Sequence, residues 1–358
     1  MKYDIAIVGG GIAGASLAAA IGDRARVLLL EAEDQPGYHA TGRSAAFWSE
    51  TYGGPGIQPL TTASAQGLAP YLDPLGALHI GRAQDGAAID AFLAEFARTP
   101  VSLARVDPAP LVPGLRPEWS LGVMEASCAY IDVARLHADC LGAARRADAD
   151  IVRNAELAEA ERRDGSWHIR TIDGRSFDAD VLVDAAGAWA DVVASRCGVA
   201  PIHIQPYRRT MAQLATAPAA PAGMPFVVDI SGDFYFKPEA GGKLWLSPHD
   251  ETAVDAHDVA PEELDVAIAI DRFEHVVDWR VAKVERTWAG LRSFVPDRLP
   301  VYGFDAAPGF FWFAGQGGFG IQTAPAAARL AAGLLLKRPP HADVAHIDPA
   351  PFAPDRFA

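Results

Sequence analysis

The 358-residue sequence predicts an α/β fold, α+β overall, in which a parallel βαβ unit is joined to a β-rich antiparallel domain. Three observations predict it. A strand, a glycine turn, a small-residue helix and a second strand follow one another from Tyr3 to Glu31. From Pro201 to Asp297 the texture changes to short strands interrupted by one amphipathic helix, Pro261 to about Val277. From Phe310 the chain returns to a buried strand, a glycine loop and an alanine-rich helix. Two textures in a chain of this length indicate two domains.

The first unit has a mechanism at each position. Asp4 to Val8 is an apolar run of strand length that stops at Gly9-Gly10-Gly11. Gly9, Gly11 and Gly14 stand in the phase G-x-G-x-x-G. Gly9 permits the tight exit from the strand, Gly11 lets a pyrophosphate approach the backbone, and Gly14 lets the helix lie close on the sheet. The helix opens at Ile12 and Ala13 with free N–H groups and a positive dipole end. Val27 to Leu30 forms the next strand, and Glu31, followed by Ala32, sits where a carboxylate accepts the hydroxyls of an unphosphorylated ribose. The unit is Rossmann-like, and FAD and NAD remain alternatives on these residues alone.

After a polar turn to Gly37, the run Tyr38 to Ala46 contains Gly42, Arg43, Ser44, Ala45 and Ala46 at what reads as a helix entry. It suits a phosphate or ring-edge contact, or else an ordinary helix start capped by Thr41 or Ser44. Phe47, Trp48 and Tyr52 follow at helical spacing and end at the loop Gly53 to Gly56. Gln58 to Arg98 reads as helix, short strand around Leu78 to Ile80, and helix, with irregular chain from Pro100 to Pro117. Asp132 caps a helix to about Arg146. Strand-like runs then alternate with Asp-Gly turns at Asp164-Gly165 and Asp173-Gly174, which marks hairpins. Asp180 to Asp184 is a buried strand that ends in Ala185-Ala186-Gly187 and Trp189, a second close backbone approach. Further strands are expected at Arg208–Ala215, Phe226–Ile230, Phe234–Lys237, Leu244–Leu246 and Lys283–Trp288. The loop Gly315 to Thr323 directs a second helix N-terminus at the same cavity as the first.

Charge and cysteine content exclude several functions. A formal net charge of −14 argues against nucleic acid or an anionic membrane as partner. An anionic small molecule would need local arginines. Cys128, Cys140 and Cys197 are widely spaced, odd in number and without a C-x-x-C pair, so neither a disulfide framework nor a metal site is expected. The first strand starts almost at residue 1, and no apolar run approaches the ~20 residues of a membrane span. A cytoplasmic protein without an integral membrane segment is the expectation.

Five spaced segments together resemble the D-amino-acid oxidase (DAO) family of FAD-dependent oxidoreductases, and within it the bacterial D-amino-acid dehydrogenases of the D-arginine type. They are Gly9 to Gly14 with Glu31, Pro36 to Ala46, Val183 to Trp189, Thr287 to Phe294, and Gly315 to Thr323. The resemblance implies FAD, with adenosine at Gly9 to Glu31 and the isoalloxazine near Arg43 to Ala46 and Gly317 to Thr323. It assigns cofactor contacts also to Leu157, Ala185, Ala186, Gly187, Trp189, Gly315, Gly317, Gly318, Phe319, Gly320, Ile321, Gln322 and Thr323. It places a carboxylate-binding arginine at Arg292, helped by a tyrosine. Arg208, in Pro206-Tyr207-Arg208-Arg209, is a second candidate, with a surface ion pair as the alternative for Arg208 or Arg209. Tyr52 and Tyr235 are the candidate phenols, and Phe47, Trp48, Gly318 and Gln322 the candidate substrate contacts.

Two departures bear on the substrate. Phe47 and Trp48 stand where arginine-type relatives carry more polar residues, and Gly76-Ala77-Leu78 lacks a carboxylate to hold a cationic side chain. A hydrophobic or aromatic D-amino acid is therefore expected, oxidised by hydride transfer from Cα to flavin N5, with the 2-imino acid hydrolysing to a 2-oxo acid and ammonia. No cysteine stands near Arg298-Leu299-Pro300, where covalently flavinylated sarcosine oxidases attach FAD, so the resemblance implies non-covalent FAD. The alternatives are oxidation of a secondary amine of the sarcosine or proline type or of a 2-hydroxy acid, and, from another class, a flavin-binding or tRNA-modification partner protein without its own turnover, against which the acidic charge weighs for tRNA. His79, His249 and His257 read as surface or structural. The electron acceptor, quinone or O2, stays open.

Overall fold

The computed structural model describes residues 2–357. Its first sheet is parallel at the centre: Lys2–Val8 lies between Val27–Leu30 and Ser176–Asp184, and Asp150–Val152 and Phe310–Ala314 extend it. Such strands are covered on both faces, which is why they read as near-continuous apolar runs. Val27–Leu30 and Phe310–Ala314 are buried at every position. The helices Ile12–Ile21 and Ala324–Leu335 pack on one face together with Ile7, Leu29 and Phe313. Gly14 makes that approach possible, because a Cβ there would stand 1.9 Å from the Gly9 carbonyl oxygen. The two Asp-Gly turns close the hairpins Leu157–Arg163 to Ser166–Thr171 to Ser176–Asp184.

The second sheet has nine strands among the described residues. Its spine is the long antiparallel pair Gln205–Ala217 and Arg280–Phe294, flanked by Lys243–Ser247, Tyr235–Glu239 and Phe226–Asp229. Phe226–Asp229 pairs with Ala77–Gly81, which continues to Leu121–Glu125 and Leu103–Val106. The helix Glu263–Glu274 covers one face, with Phe273 buried against Phe236 and Trp279.

Several local expectations are corrected. Residues 38–46 do not open an α-helix: only the 3-10 turn Ala40–Arg43 forms. Phe47–Trp48 is a short strand paired with Ala129–Ile131, so these two side chains point to opposite sides instead of following a helical stripe. The irregular stretch of residues 100–117 contains the edge strand Leu103–Val106. For Phe47–Trp48 and Leu103–Val106, pairing with another strand decided the conformation.

Candidate active site

A cavity of about 480 Å³ runs from the glycine turn at Gly9 to the sheet of the second unit. Its near end is made of backbone. Gly9 has φ +109, and a Cβ there would meet the Ala185 carbonyl oxygen at 2.5 Å. Thr41 reaches over from its 3-10 turn and its Oγ1 accepts from the Ile12 N–H at 2.9 Å, so it caps the first helix rather than its own segment. The His137 Nε2–H donates to the Gly10 carbonyl at 2.8 Å. Burial keeps that imidazole neutral by lowering its pKa. Glu31 lines the cavity and is 8% exposed; its two oxygens accept from Gly10 N and Glu33 N, both at 2.9 Å. Burial raises its pKa against those two bonds. A carboxylate with one backbone partner per oxygen keeps lone pairs for the two hydroxyls of a ribose.

Gly9, Gly11, Ile12, Ala13, Ala32, Leu157, Ala185, Ala186, Gly187 and Trp189 line this end. Arg43, Ser44, Ala45, Ala46, Gly317, Gly318, Gly320, Ile321 and Gln322 line the middle. The guanidinium of Arg43 is already committed, to the Val259 carbonyl at 3.0 Å and the Asp258 carboxylate at 2.5 Å, so it straps the 258–259 segment to the site instead of waiting for a phosphate. Five expected cofactor contacts lie behind the wall. Gly14 packs helix on sheet, Gly42 closes on Gly37, and Gly315 packs on Val295 and Pro300. Phe319 backs Tyr52, and the Thr323 hydroxyl donates to the Phe319 carbonyl at 2.8 Å.

The far end is made of side chains. Arg292, Tyr52, Tyr235 and Phe47 line it. Arg292 donates through Nη1 to the Tyr52 hydroxyl oxygen and through Nη2 to Glu251. Any side chain at Gly318 would meet that pair, since a Cβ there stands 2.2 Å from Tyr52 Oη and 3.0 Å from Arg292 Nη1. Gln322 holds the Tyr52 backbone: its Nε2 donates to the Tyr52 carbonyl and to Thr61 Oγ1, both at 2.9 Å. Desolvation first raises the pKa of both Tyr52 and Tyr235, so each keeps its proton at neutral pH and can donate it to an anion.

Two expected substrate contacts are corrected. Arg208 does not line the cavity; its guanidinium is taken by Glu262 and by Asp265 at 2.8 Å, which tie its strand to the covering helix. Alternation along Gln205–Ala217 puts the neighbour, Arg209, on the cavity side with Met211. Arg209 donates to the Asp250 carbonyl at 2.7 Å and stands 3.5 Å from Glu251. Glu251 thus offsets two cavity-facing guanidiniums as well as Arg298, at 3.0 Å. Trp48 faces away, buried, with its indole N–H on the Thr61 carbonyl at 3.1 Å. The period of two along the strand could have flagged Arg209 against Arg208, but only pairing shows which face holds the cavity.

A carboxylate also stands where none was expected. Glu125 lies directly across the ladder from Ala77 and is fully buried. It accepts from Thr51 Oγ1 at 2.6 Å, Ser49 Oγ at 2.9 Å and Glu50 N at 2.6 Å. Burial raises its pKa, but the nearby His79 and the Thr51 and Ser49 hydroxyls outweigh that and lower it, so it is ionised and its acceptors are occupied.

A glycine-lined cavity suited to a dinucleotide opens onto an arginine and tyrosine cluster suited to an anionic substrate. The family model described as "DAO: FAD dependent oxidoreductase" matches residues 4–334. The chain belongs to this family, and FAD is its cofactor. Glycine oxidase of Geobacillus kaustophilus is 24% identical over 368 residues, covering 96% of each chain. Hydrogen cyanide synthase subunit HcnC of Pseudomonas aeruginosa is 27% identical, over 53% of this chain and only 43% of that protein. The solved L-proline dehydrogenase from P. horikoshii superposes with a TM-score of 0.86 at 19% identity, covering 99% and 98% of the two chains. Among the described residues no helix is long and apolar enough to cross a membrane.

Proposed function

We propose that this FAD-dependent oxidoreductase oxidises a D-amino acid with a hydrophobic or aromatic side chain to the 2-imino acid, which water hydrolyses to a 2-oxo acid and ammonia. The observation that carries this reading is the meeting of Arg292, Arg209, Tyr52 and Tyr235 at the end of the cavity remote from Gly9. A guanidinium fork with a protonated phenol beside it is a carboxylate receptor. Bound without a covalent link along Gly9 to Gln322, FAD supplies the acceptor for the Cα hydride. Arg292 and Tyr52 fix the carboxylate, and Phe47, Met211 and Tyr235 offer an apolar wall to the side chain. Held at one end by charge and at the other by packing, the substrate retains one orientation, and orientation is the protein's main contribution when a cofactor carries the chemistry. Glycine oxidase among the relatives acts on a small amino acid, as its name states, which supports an amino-group substrate here.

Anaerobic titration of the purified flavoprotein with D-phenylalanine, D-alanine, L-phenylalanine, sarcosine, L-proline and L-2-hydroxyglutarate tests the proposal. Bleaching of the flavin band by D-phenylalanine at the lowest concentration is expected. Faster bleaching by sarcosine, proline or the hydroxy acid would replace the reading with oxidation of a secondary amine or of a 2-hydroxy acid. Faster bleaching by L-phenylalanine would reverse the handedness.

A further inference from the structure

Behind the far end lies a second pocket, of about 120 Å³. Phe47, Tyr52 and Tyr235 line both it and the main cavity, so the two adjoin across these three rings. The volume is roughly ten times the ~10–15 Å³ that one water needs, room for one substituted ring. Phe226 and Phe92 supply further aromatic wall; Phe226 packs 4.6 Å from Phe47 and 5.5 Å from Tyr235. Aromatic pairs at these centroid distances accept a further ring edge-on or offset.

Two imidazoles give the pocket polar points. His249 stands beside the Tyr235 ring at 5.4 Å, and its Nδ1 donates to the Gly232 carbonyl at 2.5 Å. Burial first, then Arg209, holds its pKa down to about 4, so the ring is neutral and Nε2 is left as an acceptor. His79 packs on Phe92 at 4.4 Å and is 9% exposed, and its Nε2 is buried without a hydrogen-bond partner, 3.9 Å from Glu125 Oε2. A proton carried on that Nε2 makes it a hydrogen-bond donor. An ammonium or guanidinium would find no free acceptor on Glu125, and a carboxylate would face its charge. A hydroxyl donates one hydrogen bond and accepts others, and so meets both imidazoles.

We propose that this pocket is the side-chain subsite, and that His79 and His249 make it selective for a hydroxyphenyl side chain over an unsubstituted phenyl. The inference rests on the amino-acid reading for its place in catalysis, but the pocket can be tested without turnover. The flavoprotein is titrated with 4-hydroxyphenylacetate and with phenylacetate, following the perturbation of the flavin spectrum, and D-tyrosine and D-phenylalanine are compared in a dye-reduction assay. A buried polar pair built for a hydroxyl rejects the analogue lacking it, so the phenol is expected to bind at least ~10-fold more tightly and D-tyrosine to show the higher kcat/KM by a similar factor. In His249→Phe and, separately, His79→Leu, the ratio of the two affinities within each variant should fall towards one. Equal affinity for both ligands in the unaltered protein, or a ratio that survives both substitutions, overturns the subsite. Failure of every amino acid to reduce the flavin, with the phenol preference intact, overturns the catalytic reading and leaves the subsite standing.

Discussion

The two ends of the cavity are built from different materials. The Gly9 end is backbone: a positive-φ glycine, a helix N-terminus and a carboxylate already anchored by two N–H groups. The Arg292 end is made of side chains, with Tyr52 and Glu251 each holding one guanidinium nitrogen and Gly318 leaving the space that pair fills. A backbone site depends on conformation and close approach, so it tolerates no added volume. A side-chain site depends on charge, so the loss of a cation is what it tolerates least.

That contrast can be broken at its strongest point by Gly14→Val, whose Cβ meets the Gly9 oxygen at 1.9 Å. Loss of both flavin and soluble folded protein is expected, measured by the flavin to protein absorbance ratio. Next, Arg292→Ala should keep the flavin yet lower kcat/KM for the amino acid by ~10²–10³, the size of removing a charged partner at a desolvated site. A normal flavin spectrum with an unchanged KM would show that the carboxylate binds elsewhere.

A pH titration sharpens the same comparison. The pKa of His249 is 6.5 in its ordinary state and about 4 in the fold. The unfolded chain therefore takes up the proton first as pH falls. Its contribution is complete above pH 6.5 and is lost on descent to about pH 4. At most ~3 kcal/mol follows from that gap, and less with partial solvent access. Urea midpoints between pH 7 and 4.5 should fall less steeply in His249→Phe than in the unaltered protein.

Two smaller effects separate the regions. Thr41→Val removes the acceptor of the Ile12 N–H and should cost about 1 kcal/mol of stability with weaker flavin retention. Arg208→Met should change kcat/KM less than about twofold, because its partners are Glu262 and Asp265 and not the cavity. A large loss of activity without loss of stability would return Arg208 to the site.

The near end was legible because its requirements are local. Glycine spacing, the strand before it and the acid after it lie within Tyr3 to Glu31, and chain geometry alone brings them together. The far end was legible only in part. Arg292, Tyr52 and Tyr235 could be named as candidates, but nothing local shows which of Arg208 and Arg209 faces the cavity, makes Phe47–Trp48 a strand, or sets Glu125 opposite Ala77. His79 and His249 read as surface or structural histidines until pairing of Ala77–Gly81 with Phe226–Asp229 and of Tyr235–Glu239 with Lys243–Ser247 set them around one pocket. The sequence by itself determined the dinucleotide unit and the two textures, since these follow from turns, periodicity and composition; the class of chemistry was implied by the resemblance of five spaced segments to a known family. Only the tertiary structure decided which charges face the cavity. Side chains alternate across a strand with a period of two, and the buried face is set by whichever distant strand and helix pack upon it.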